Sequence, residues 1–151
     1  MQPFVLNVVN LILIGALFGS CTSDEAAVKE AEEDVFAKHD QVMPMYDDVM
    51  KLRKQLNKRI SVLDSLQETG SAAGTLRTDE EKEQVRLLVR NLGEADSLMM
   101  YWMENYRGDT LTKLSSDDAL RYLSDQKDKI TDVQTKLILS IEAARRYLAK
   151  K

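Results

Sequence analysis

One cysteine, one histidine and one tryptophan stand in this chain of 151 residues, beside two prolines and six glycines. A single thiol cannot close an internal disulfide, and the Cys and His spacings of a zinc site are missing with it. Aromatic residues make up 6%, and the apolar residues do not alternate as strands require. Scarce glycine leaves no phosphate-cradling loop. An excess of one charge is lacking too: 21 basic residues face 25 acidic ones, a net charge of −4, with both signs interspersed. That excludes the basic stripe nucleic acid demands and gives no polybasic patch for anionic lipid. Catalytic sets are equally thin. His39 is adjacent to Asp40, but neighbours in a helix point apart, and no nucleophile accompanies the imidazole in the pattern that nucleophilic catalysis needs. Carboxylate pairs are common here without a second motif to single one out. The chain reads as a protein that is not an enzyme.

What is present begins with Cys21. It follows an uncharged apolar run, Phe4 to Phe18, through Gly19 and Ser20. The run is about fifteen residues, the size of a signal-peptide core and short of the roughly twenty that span a bilayer. Small residues before a cysteine are what a lipoprotein peptidase cuts after, and the freed thiol then carries diacylglycerol and acyl chains such as palmitate. Residues 1–20 are therefore read as a lipoprotein signal peptide and Cys21 as the lipidation site. The flank Ser23, Asp24, Glu25 is acidic, unlike the basic stop of a cytoplasmic membrane edge. Thr22 is no aspartate of the kind that holds some lipoproteins at the inner membrane, which points to the outer membrane, on its periplasmic or surface face. The acyl lipid is the one prosthetic group this reading calls for.

The rest, about 130 residues, is one domain's worth. Three helical segments account for it. The first runs from about Asp24 to Glu68 on a seam of Val28, Ala31, Val35, His39, Val42, Tyr46, Val49, Leu56, Ile60 and Leu63, interrupted at Arg53 and kinked at Pro44. The second starts at a capping box, Thr78 to Glu81, and its stripe is Val85, Leu88, Leu92, Ala95, Met99, Trp102 and Tyr106. The third opens at Ser115 to Asp118 and continues through Leu120, Leu123, Ile130, Val133, Leu137, Ile141, Ala144 and Leu148 to a basic end. Short connections make sequential helices antiparallel. The spacing predicts an all-α fold, an antiparallel three-helix bundle with coiled-coil-like packing over 39–151, preceded by a lipidated N-terminus and helical stalk over 21–38. A dimer that builds a larger bundle is the alternative.

Closing the first connection as a hairpin sets Met45 beside Trp102 and Met50 beside Ser97; closing the second sets Met99 beside Leu123 and Met103 beside Ala119. Most methionines then share one level with Tyr46, Tyr101, Trp102, Tyr106 and Tyr122. Methionine fills irregular gaps in cores, and its sulfur packs well on rings. The same level also suits two functions. One is a docking face for a protein partner, made by Met43, Met45, Tyr46, Met100, Tyr101 and Trp102. The other is a soft-metal site of the Cu(I) type with Met43, Met45, Met99, Met103 and His39 as neutral ligands.

The run His39-Asp40-Gln41-Val42-Met43-Pro44, then Leu52-Arg53-Lys54-Gln55-Leu56 and Met99-Met100-Tyr101-Trp102-Met103, resembles a family of small Bacteroidota lipoproteins often labelled "viral A-type inclusion protein". The resemblance spans most of the chain after Cys21. It implies a lipid-anchored envelope protein and carries no catalytic residues with it.

Overall fold

The computed structural model describes residues 20–69 and 72–150. The signal peptide expected at 1–20 lies outside them except for Ser20, as does the Gly70–Ser71 tip of the first connection. Four helices follow in order: α1 Ser20–Val42, α2 Met45–Thr69, α3 Ala72–Asn105 and α4 Ser116–Leu148, with a 3₁₀ turn, Gly108–Lys113, between the last two. No strand occurs among the described residues. α1 and α2 together make one rod, α3 returns antiparallel to it, and α4 runs parallel to the first rod, so the anticipated three-helix bundle is the fold. The direction is plain from the side chains that join the helices. Tyr46, Arg59 and Gln67 of α2 meet Asp96, Glu81 and Asp79 of α3 in descending order. Asp34, Lys38 and Asp48 meet Lys127, Gln134 and Arg145 of α4 in ascending order.

Three local expectations need correction. Pro44 does more than kink the first segment: helix stops at Val42 and restarts at Met45, bridged by the Tyr46 amide donating to the Met43 carbonyl at 3.2 Å. The missing proline donor and its ring clash account for a full break. α3 begins at Ala72 instead of Thr78. Thr78 is inside the helix, its hydroxyl donating back to the Gly74 carbonyl at 2.9 Å, a bond a helical threonine makes as readily as a cap. Arg53 does not interrupt the seam, which steps from Val49 through buried Leu52 to Leu56.

The largest difference is the register of α4. Ser140 donates to the carbonyl of Asn91, a place that a tight hairpin gives to Thr131. The connection descends past the end of α3 before turning, with Leu111 of the 3₁₀ turn buried beneath the bundle. Ser115 then caps α4, its hydroxyl accepting from the Asp118 amide at 3.2 Å. The first turns of α4 therefore extend below α3, where they meet α1. The segment 21–38, read as a helical stalk, does not stand apart from the bundle over residues 24–38. They lie along α4 instead, with Val35 fully buried and Val28 and Ala31 packed against the core.

The core is one apolar seam. Leu56, Leu63, Leu92, Leu123, Ile130 and Leu137 are almost wholly enclosed, and each contributes about 1.5–3 kcal/mol by leaving water. Around it α2 packs chiefly on α3, and α1 chiefly on α4. The break at Pro44 lets the first rod lean on a different neighbour in each half.

Candidate docking face at the helix break

The break follows His39, which faces α3, by one turn: the Met43 amide donates to the His39 carbonyl at 3.0 Å, just past the end of α1. Trp102 lies opposite, buried, its ring centroid 5.8 Å from that of His39. From it a chain of rings descends: Tyr106 at 5.4 Å, then Phe36 edge-on at 5.4 Å and Tyr122 at 6.0 Å from Tyr106. These spacings fall in the favourable range for aromatic pairs. Polar ends are tied down. The Tyr106 hydroxyl donates to Glu32 Oε1 at 3.1 Å, and the Tyr122 hydroxyl accepts from the Arg107 amide at 2.7 Å. Burial first, then the Glu32 carboxylate, raises the Tyr106 pKa well above the usual phenol range. Above the break, Tyr46 donates to the Asp96 carbonyl at 3.1 Å, and burial followed by the Asp96 charge pushes its pKa up to about 12. The Trp102 indole Nε1 is buried without a hydrogen-bond partner.

The sequence-picked docking residues separate into two kinds. Met43, Met100 and Tyr101 are exposed, by 37%, 45% and 66%, while Met45 and Tyr46 are half-buried and Trp102 is core. Helix geometry explains the split: Trp102 points inward, so Tyr101, about 100° away around α3, points outward. The soft-metal residues also divide. Met99 is fully buried, Met103 packs against the core, His39 is partly covered and Met43 is exposed. Asp40 does not point away from His39; its Oδ1 lies 3.1 Å from the imidazole Nδ1. Among the described residues, no group of three or more His, Cys, Asp or Glu side chains is placed to hold a metal ion. Cys21 sits in the first turn of α1.

Two grooves flank Tyr101. One, of about 490 Å³ between α3 and α4, is lined by Leu98, Trp102, Gln126, Val133 and Lys136. The other, of about 740 Å³ between α2 and α3, is walled by Arg53, Arg90, Glu94 and Asp96 over Gly93 and Ser97. Neither was foreseen, because each depends on which helices meet. Phe36 was likewise missed as a ring of the ladder, although its three-residue spacing from His39 places both on one face of α1. The chain matches no protein-family model, no curated protein and no solved structure. The arrangement offers apolar and aromatic contact area beside charged side chains of both signs, the surface chemistry of a protein interface.

Proposed function

We propose that this chain is a lipid-anchored helical bundle of the cell envelope, held at the outer membrane through acyl lipid on Cys21, which works by non-catalytic docking of a protein partner. The observation that carries the docking reading is the exposure of Tyr101, Met100 and Met43 around an enclosed Trp102. Large apolar side chains with water on one side and a rigid ring beneath are the anchors that interfaces favour. None of the described helices is long and apolar enough to cross a membrane, and the address rests on the Gly19-Ser20-Cys21 sequence. Replacing Cys21 with Ala should move the protein from the membrane fraction to the soluble one; unchanged retention would end the anchor. A photo-crosslinking residue at Tyr101 should give a discrete adduct in intact cells, and a smear or no adduct would end the docking reading.

A second reading, a Cu(I)-type site, draws on one observation: His39 faces Trp102 from α1, while Met99 and Met103 flank Trp102 along α3. Titration with Cu(I) against a competing chelator separates the two. Binding weaker than micromolar would dismiss the metal.

A further inference from the structure

We propose that the partner seated on the outer face of α3 is a second copy of this chain, packed antiparallel across a two-fold axis at Ser97. This deepens the docking reading and rests on it. The outward face of α3 carries Arg90, Glu94, Ser97, Tyr101 and Glu104, all exposed and recurring at three- and four-residue steps. When two such faces are laid antiparallel about Ser97, Tyr101 of each copy lies over Gly93 of the other. There it enters the 740 Å³ groove, whose lining includes Arg53 and Arg90 beside Glu94 and Asp96, with Arg53 paired to Asp96 at 3.6 Å. Gly93 leaves room for it, since the nearest atoms to a methyl group built there are those of the Arg53 guanidinium, at 3.9 Å. A phenol ring over a guanidinium is a favourable cation–π pair. The same register sets Arg90 against Glu104 twice, once on each side of the axis, and it opposes no two like charges. Glu94 falls against Met100, another exposed apolar residue of α3. Isologous pairs need a self-complementary patch, and this one is complementary in charge and in shape.

The alternative occupant, a different envelope protein, gives a different outcome in the same tests. In membranes from cells making the full-length chain, Ser97→Cys should oxidise to a covalent dimer, because the two sites lie on the axis. Thr135→Cys, exposed on α4, should not. Arg90→Glu should lower the Ser97→Cys cross-linked fraction about tenfold, a loss typical of breaking a well-placed charge pair. Adding Glu104→Arg to Arg90→Glu should restore it, since the swap rebuilds both pairs. Ser97→Cys cross-linking no better than Thr135→Cys, or a swap that fails to rescue, overturns the proposal. The Tyr101 photo-crosslinker tells the two levels apart. An adduct of twice the chain mass supports self-pairing. An adduct with another protein overturns self-pairing and leaves the docking reading standing, and no adduct overturns both.

Discussion

Above the break at Pro44 the bundle is held by aliphatic packing and partly enclosed charge, with one exposed pair, Asp48 to Arg145; below it, by rings and exposed charge. In the upper half Leu52, Leu56 and Leu63 of α2 pack with Leu92 and Leu137. Arg59 there forms a hydrogen-bonded pair with Glu81 at 2.7 Å, and Tyr147 donates to the same carboxylate oxygen at 2.5 Å. Lys82, mostly covered, pairs with Asp64. In the lower half α1 offers smaller side chains, Val28, Ala31, Val35 and Val42. Its ion pair to α4, Asp34 with Lys127, is exposed on both sides. The same fold thus has a firm end and a softer one, because burial per residue and the screening of charge differ between them.

The sharpest way to break the comparison is through the core. Leu56→Ala should cost about 3 kcal/mol and Val35→Ala roughly two-thirds of that, in step with the carbons removed from sealed sites. Denaturant melts of both variants test it, and equal losses would make the halves alike. Charge comes next. Removing the Glu81 carboxylate as Glu81→Ala takes away the oxygen that Arg59 and Tyr147 share and should cost about 2 kcal/mol. Lys127→Ala, at an exposed pair, should cost about 0.5 kcal/mol or less.

The third contrast is alkaline. Tyr46, Tyr106 and Tyr147 all ionise later in the folded chain than in the unfolded one, each chiefly through burial. A raised folded pKa gives stability that is fully present below the unfolded phenol value of about 10 and is lost as pH rises through the folded value. Thermal melts should therefore hold level up to about pH 10 and fall between there and pH 12. Tyr106→Phe, which leaves Glu32 without its donor, should flatten part of that fall and loosen α1 in hydrogen exchange. A profile that drops below pH 8 would point to groups other than these phenols.

Two glycines should give small effects of opposite sign. Gly93 is inside α3 with nothing closer than 3.9 Å to an added methyl group, so Gly93→Ala should stabilise by about 0.5–1 kcal/mol. At Gly108 the added carbon would stand 3.0 Å from the Tyr106 ring and 3.3 Å from Glu32. Gly108→Ala should therefore cost about 1 kcal/mol by pushing the ring from its carboxylate. Calorimetry of the two variants checks both signs.

Much of the architecture was legible in the chain. The step of three and four through Val85, Leu92, Met99 and Trp102 placed one face of α3, and Ser115 with its acidic first turn marked the start of α4. The antiparallel pairing of α2 with α3 followed from the short stretch between their apolar stripes. The register of α4 did not follow, because a nine-residue gap such as 106–114 can turn at once or descend first, and burial of Leu111 decides which. The difference between an N-capping threonine and an interior one at Thr78 is similarly set by what precedes it. At the candidate face, composition drew attention to Trp102 and the methionines, yet only packing separates inward Met99 from outward Met100. The grooves on either side of Tyr101 belong to pairs of helices and have no signature in any one segment.

Because α1 and α4 run side by side in the same direction, a pull on the first turn of α1 against the far end of the bundle acts along their shared length. Such a load strains every turn of that seam at once, as in shear, instead of opening it one turn at a time like a zipper. The lower half, soft to thermal opening, would then be the more stubborn part under tension.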